Sequence, residues 1–252
     1  MRPPLPPVEV WEETDSTNRI VAAWLVADCA HGRALRARRQ TAGRGRLGRT
    51  WIAEPNSGLA LSIALPGPAW FAVAPRIPLA AGVACATVLE QRYGISVKLK
   101  WPNDLIVGGR KLGGILCEGV NRGSTFAGVV VGLGVNINET SSSFPELLRD
   151  SATSARIESG RTEDDLDTLA TLVRDAVVAE AAALADGASA QLLERWAALD
   201  GIRGRTVWFE EQGGVRSGLA AGIAPDGALR VETEEGCRLL HAGEVTTQPP
   251  TR

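Results

Sequence analysis

Between Val97 and Val135 short β-type runs alternate with turn formers, and this stretch constrains the fold more than any other. Val97–Trp101, Leu105–Val107 and Lys111–Glu118 read as strands, separated by Pro102-Asn103 and Gly108-Gly109. Connections this short join antiparallel neighbours. Phe126–Val135 follows as a continuous apolar run, the pattern of a central strand. Upstream, Val8–Trp11, Ala34–Gln40 and Gly58–Leu65 read as further strands. Helices are expected at Arg19–Ala27, behind the N-cap formers of Thr14–Asn18, and at Arg76–Tyr93, which Gly94 stops. Glu163–Leu184 and Ala188–Leu199 add two more. After Gly201 the composition changes to short β-type runs broken by Gly213-Gly214, Pro225-Asp226-Gly227 and Glu235-Gly236, as in a small β-barrel. The expected fold class is therefore α+β, with a large domain over residues 1–202 and a small β domain over 203–252.

Charge is distributed less evenly than the formal net of −2 suggests. Only three of the 27 basic residues are lysines, and Lys98, Lys100 and Lys111 all fall within one short stretch. A chain that uses arginine elsewhere and lysine here needs an ammonium at that place, or has clustered its lysines by chance on an exposed hairpin. Cys29 to Ala53 carries seven arginines and no acid, leaving −9 on the remainder. The mild overall acidity gives no reason to expect a whole-surface nucleic-acid or membrane binder. The longest uncharged apolar runs, Ile20–Ala27 and Leu79–Leu89, fall short of the roughly 20 residues a membrane span takes. The proline-rich start has no apolar core of a secretory signal. Four scattered cysteines with no C-x-x-C pair read as reduced thiols of a cytoplasmic protein, not as a zinc site or disulfide framework.

The most informative motif is Gln40-Thr41-Ala42-Gly43-Arg44-Gly45-Arg46-Leu47-Gly48-Arg49-Thr50-Trp51. Its glycines match G-x-G-x-x-G, but the dinucleotide reading fails. That fingerprint opens a helix and needs an acid about 20 residues on, whereas here Pro55 and Gly58 follow and no acid lies between Glu54 and Glu90. The loop offers close backbone approach and guanidinium forks, which suit phosphate oxygens. A solvated basic loop and a nucleic-acid patch are the alternatives, the latter weakened by the absence of interleaved aromatics around Trp51.

In the hairpin region, Asp104 begins a strand beside an apolar run and needs a partner, for which Lys111 and Lys100 are the candidates. Gly113-Gly114 suits a ligand or another backbone lying against the strand, or a bulge. Asn136, in Gly132-Leu133-Gly134-Val135-Asn136, offers a donor and an acceptor suited to an adenine edge, or simple turn chemistry.

Taken in order, these segments resemble the bacterial biotin–protein ligases, the monofunctional type without a DNA-binding domain. The matching pieces are Ser16-Thr17-Asn18, Gln40 with the Gly43–Trp51 loop, Lys100-Trp101-Pro102-Asn103-Asp104, Gly109–Leu116 and Gly132-x-Gly134-x-Asn136. The resemblance implies a catalytic domain like that of class II aminoacyl-tRNA synthetases, with a mixed or antiparallel sheet, followed by an SH3-like barrel. It implies activation of biotin by ATP with Mg²⁺ to biotinyl-5′-AMP, then transfer to a lysine of a biotin carboxyl carrier protein. Carried over by position, Ser16, Thr17, Asn18 and Gln40 would hold the biotin ring, and Gly43, Gly45, Gly113 and Gly114 would admit the ligand. Arg44 and Arg46 would hold phosphate and adenylate, Trp51 would pack on adenine, and Asn136 would read it. Lys111 would reach the carboxylate and α-phosphate, and Lys100 and Asp104 would shape the site; Lys100 and Asn103 would also count among the ATP-binding residues, and Asp104, with Lys111, Arg44 and Arg46, among the catalytic ones. No protein cluster for metal is expected, magnesium arriving with ATP. Too few residues precede Ser16 for a DNA-binding domain, so no DNA partner is expected, and the chain is read as a monomer or weak homodimer. A lipoate or octanoate ligase on the same fold and a nucleic-acid-binding module are the rival functions.

Overall fold

A computed structural model describes residues 4–211 and 213–249; Met1–Pro3 of the proline-rich start and the last residues of the 203–252 segment lie outside it. Seven strands form the larger sheet, in the spatial order β1-β2-β3-β7-β6-β5-β4. These are β1 (Glu9–Thr14), β2 (Ala34–Gln40), β3 (Leu59–Pro66), β4 (Lys98–Lys100), β5 (Asp104–Val107), β6 (Arg110–Arg122) and β7 (Thr125–Val135). The β1 and β2 strands run parallel, and the other neighbours in this sheet are antiparallel. The sheet is thus mixed, with β7 at its centre as its apolar run implies.

Side chains alternate across a strand, and here each set meets a different helix layer. Leu35, Ala64 and Val130 pack with Val21 and Leu25 of α1 (Thr17–Val26). Their neighbours Ala34, Ile63, Val129 and Val131 join the main core with α2 (Ile77–Tyr93) and α4 (Leu166–Ala185). Because β7 is covered on both faces, its sequence shows no polar alternation. The apolar stretch Pro68–Tyr93 is long enough to cross a membrane by composition, but it is mostly buried inside the fold. Gly94 ends α2 with φ +69°, a left-handed conformation that favours glycine. Two shorter helices, α3 (Ala155–Ser159) and α5 (Ser189–Leu199), flank α4 in sequence.

The remaining strands, β8 (Thr206–Glu211), β9 (Gly214–Ile223), β10 (Leu229–Thr233) and β11 (Gly236–Leu240), make a four-stranded antiparallel sheet in the order β11-β10-β9-β8. This small sheet is joined to the hairpin region through Gly201 N–H to Leu99 O (2.8 Å) and Trp101 Nε1–H to Gly227 O (3.1 Å). Lys98 donates from its ammonium to the Ala198 carbonyl at 3.1 Å, near the end of α5.

Candidate active site

One side of the sheet opens into a cleft of about 740 Å³, within the size range of small-molecule sites. Its deep wall is the start of α1. Ser16 occupies the N-cap position with extended backbone, but its hydroxyl makes no cap bond. Gln40 supplies that acceptor from β2, its Oε1 lying 2.8 Å from Thr17 N and 3.1 Å from Thr17 Oγ1. The Ser16 hydroxyl is thereby left to the cleft that it lines. Ser62 Oγ stands 2.7 Å from Thr17 Oγ1 and 2.6 Å from Asn18 Oδ1. Asn18 Nδ2 donates to the Leu116 carbonyl (3.2 Å) and to Glu118 Oε2 (2.6 Å), which fixes the orientation of its amide. The result is a neutral, hydrogen-bonded cradle.

Glycines on β7 make room for it. A Cβ on Gly132 would fall 2.0 Å from Asn18 Oδ1, and one on Gly134 would fall 2.6 Å from the Trp51 ring. Sequence reasoning missed the first of these contacts, and Glu118 altogether. Trp51 therefore lies against the Gly134 backbone.

The mouth of the cleft is charged. Lys111 Nζ sits 2.6 Å from Asp104 Oδ1, across the β5–β6 hairpin. Lys111 is itself fixed at the backbone, with N–H to Ser151 O at 2.7 Å and O accepting from Thr153 N at 2.9 Å. Arg46 donates to Asn103 Oδ1 (3.1 Å) and to the Gly243 carbonyl (3.1 Å), and Asn103 Nδ2 donates to Ile115 O (2.7 Å). Arg49 pairs with Glu244 at 2.5 Å, so the segment after β11 braces the loop. Asn136 lines the cleft, with Nδ2 committed to the Thr153 carbonyl at 2.9 Å.

The seven arginines of Cys29–Ala53 do not form the single electropositive site that the sequence suggests. Arg33 pairs with Glu9, Arg36 and Arg38 with Asp167, Arg39 with Glu13, Arg44 with Glu118 and Arg49 with Glu244. The counter-ions come from β1, α4, β6 and the segment after β11, remote in sequence, so the local run looked uncompensated. Arg46 bonds neutral oxygens instead. Arg36 is fully buried, donates to Asp167 and Asn56, and does not line the cleft.

Most residues singled out in the sequence line one cleft: Ser16, Thr17, Asn18, Gln40, Arg44, Gly45, Arg46, Trp51, Asn103, Asp104, Lys111, Gly114 and Asn136. Gly43, Lys100 and Gly113 do not line it. A Cβ on Gly43 would meet Trp51 O at 2.6 Å, and one on Gly113 would meet Gly134 O at 2.7 Å. These two glycines admit neighbouring backbone, not ligand. Lys100 is the cross-strand neighbour of Asp104 but carries no ion pair among the described residues, Lys111 having taken that carboxylate.

Glu139 also lines the cleft and is 2% exposed. Its Oε1 accepts from Ser57 Oγ at 2.8 Å, while Oε2 is buried without a partner among the described residues. Burial pushes this carboxyl above its usual range. The folded state then holds a proton that the unfolded chain has released, so stability falls as pH rises above the ordinary carboxylate range. Glu139→Gln is expected to raise the melting temperature at pH 8, the gain fading as the pH drops below about 4. A pH series of thermal melts checks this; a gain independent of pH would contradict it.

The model of the biotin/lipoate A/B protein ligase family matches residues 10–136, and that of the biotin protein ligase C-terminal domain matches residues 203–246. The chain belongs to the biotin/lipoate A/B protein ligase family. Within that family it is 31% identical over 225 residues to the bifunctional ligase/repressor BirA of Bacillus spizizenii, covering 83% of this chain and 64% of that protein. The chain thus spans a little under two thirds of the length of that relative. The biotin–[acetyl-CoA-carboxylase] ligase of Paracoccus denitrificans is 30% identical, with 92% of this chain and 97% of that one covered. Among solved structures, the biotin protein ligase of Aquifex aeolicus in complex with biotin and ATP superposes with a TM-score of 0.82. It shows 28% identity and covers 95% of this chain and 97% of that one. The family fold, a mixed sheet with helices followed by a small SH3-like sheet domain, is the fold described above.

Proposed function

We propose that this chain is a biotin–[biotin carboxyl carrier protein] ligase, its catalytic domain ending at residue 202 and its SH3-like domain beginning at 203. The observation that carries the reading is the pairing of a neutral hydrogen-bonding cradle with a cationic mouth in one cleft. A ureido-type ring is neutral and rich in donors and acceptors, matching Ser16, Thr17, Asn18 and Gln40. A plain octanoyl or lipoyl chain offers no hydrogen-bond partner to the Ser16 hydroxyl that lines the cleft, and a polar group left unpaired costs about 1–3 kcal/mol, which disfavours the lipoate and octanoate alternative.

At the mouth, the biotin carboxylate meets Lys111. An oxygen of that carboxylate attacks the α-phosphorus of ATP, the bond to pyrophosphate breaks, and biotinyl-5′-AMP remains. The ε-amine of the carrier lysine then attacks the acyl carbon, losing a proton as AMP departs. No covalent enzyme nucleophile is needed. Lys111, Arg44 and Arg46 contribute positioned positive charge, and Asp104 holds Lys111 in place. Trp51, beside Gly134, and Asn136 supply a face and an edge for the adenine. Lys100 does not line the cleft and would act on the hairpin, not on the nucleotide.

Magnesium fits this site as a companion of the triphosphate. Among the described residues no three His, Cys, Asp or Glu side chains gather as a cage, whereas Asp104, Glu54 and Glu244 face the cleft singly. An ion that keeps its waters and binds phosphate oxygens needs no more; when bound, it offsets phosphate charge. Unpaired thiols, with the buried Cys85 pushed up to about 12 by burial, suit a reducing cytoplasm.

Incubation with biotin, ATP, magnesium and a biotin carboxyl carrier domain tests the reading. Mass spectrometry is expected to show one biotinyl group on one carrier lysine. An unmodified carrier, or equal modification with lipoate, would overturn the assignment.

A further inference from the structure

The chain leaving β7 brings two hydrogen-bond acceptors to the cleft wall, for Asn136 and Glu139 both line it. Asn136 Nδ2 is spent on the Thr153 carbonyl at 2.9 Å, so only the acceptor end of that amide, Oδ1, is left for a ligand. Glu139 is anchored at two points. Its backbone O accepts from Ser154 Oγ at 2.6 Å, and its Oε1 lies 2.8 Å from Ser57 Oγ. Gly58 makes room for that oxygen, since a Cβ there would fall 2.8 Å from Oε1. Oε2 is the atom left over, buried and without a partner among the described residues.

The supply of protons limits what Oε2 can do. Ser57 Oγ stands 2.8 Å from Glu54 O as well as from Glu139 Oε1, and a hydroxyl has one proton to give. A proton on Oε1 satisfies both contacts: Glu139 then donates to Ser57 Oγ, and Ser57 donates to the Glu54 carbonyl. Burial, which pushes this carboxyl above its usual range, favours the same form. Oε2 is then a carbonyl oxygen; were the group ionised, it would be a carboxylate oxygen. In either form it only accepts. A buried acceptor with no partner is costly, so a ligand that brings it a donor is preferred over one that does not.

In the ligase reading, biotin fills the cradle at the start of α1, while Trp51 and Asn136 meet the adenine. The 6-amino group of adenine carries two N–H bonds, one for each acceptor of this wall. A 6-keto purine presents an oxygen at the same place and leaves both acceptors unpaired.

We propose that Glu139 is a specificity-determining residue, its Oε2 accepting from the 6-amino group of the nucleotide and so selecting adenine against 6-keto purines. The inference rests on the ligase reading above and adds to it a residue that chooses the base.

Calorimetric titration of the full chain with ATP and with inosine triphosphate tests it, in the parent, Glu139→Gln and Glu139→Met. The ratio of the two dissociation constants is the readout. The parent is expected to bind ATP about 30-fold more tightly than inosine triphosphate, or better, as unpaired buried acceptors require. Glu139→Gln should stay within about threefold of the parental ratio, because an amide donates to Ser57 through Nε2 and still accepts through Oε1. Glu139→Met offers no acceptor and should lower the ratio about tenfold. A merely structural role for Glu139 would weaken both titrations together and leave the Glu139→Met ratio at the parental value; that result overturns the proposal. So does a parent ratio near one, or a fall in Glu139→Gln as large as that in Glu139→Met. Should Glu139→Met fail to fold, Glu139→Leu takes its place with the same expectation. A parent that selects ATP in this way, yet releases no pyrophosphate when biotin is added, would defeat the ligase reading and leave the role of Glu139 standing. A parent that binds no ATP would overturn both.

Discussion

Replacing Lys111 by methionine is expected to lower biotin-dependent pyrophosphate release by about 100- to 1,000-fold, the scale of losing one preorganised charge at a developing oxyanion. The ammonium is held at 2.6 Å from Asp104 Oδ1, with its own backbone anchored on both sides by Ser151 and Thr153. Little reorganisation is then required when an anionic ligand arrives. The loss should fall mainly on kcat, because charge that develops in the reaction is what the ammonium answers. Lys111→Arg should recover only part of the rate: a planar fork carries the same charge on a wider head. Steady-state pyrophosphate assays, with thermal melts to confirm folding, decide the matter; full activity of Lys111→Met would remove the residue from the chemistry.

The second large effect is expected from a single methyl group. In Gly132→Ala the new Cβ would lie 2.0 Å from Asn18 Oδ1 and 2.8 Å from Asn18 Cγ. Neither β7 nor α1 can yield easily. Gly132 pairs with Ser62 on one side and Leu116 on the other, in the middle of the sheet. Asn18 must therefore leave its place and give up its bonds to Ser62, Leu116 and Glu118. Biotin affinity should fall by about 100-fold or more, equivalent to about 3 kcal/mol. Nucleotide binding in the absence of biotin should change far less. Titration of each ligand separately checks the contrast. Parental biotin affinity in Gly132→Ala would show that Asn18 does not form the cradle.

Much of the site was legible in the sequence because its chemistry is local. The Gln40–Trp51 loop, the Asp104–Lys111 pair and the β4–β7 hairpins each lie within a short stretch, where turn formers and charge declare themselves. Glu118 was illegible for the opposite reason: its partners lie 100 and 74 residues away, and a glutamate on an ordinary strand sends no signal. The arginine run misled in the same way, since Glu9, Glu13, Asp167 and Glu244 reach it only through the fold. Gly113 showed that glycine in a strand is ambiguous, a ligand and a neighbouring carbonyl making the same demand for space. Ser16 carried a helix-cap signature, yet a glutamine from β2 took over the bonding and left the hydroxyl to the cleft. The β6–β7 hairpin extends to Arg122 and Thr125, past the apolar pattern, through continued backbone pairing, with Phe126 near its tip packed edge-on against Phe71.

In the proposed function, one cleft activates biotin, and not another acyl acid, at the expense of ATP. Pyrophosphate release measures it most directly, with magnesium, ATP and either biotin, lipoate or octanoate supplied to the same enzyme. Biotin is expected to produce a rapid release that the other two acids do not match. Release with lipoate or octanoate equal to that with biotin, or none above background with biotin, would contradict the account.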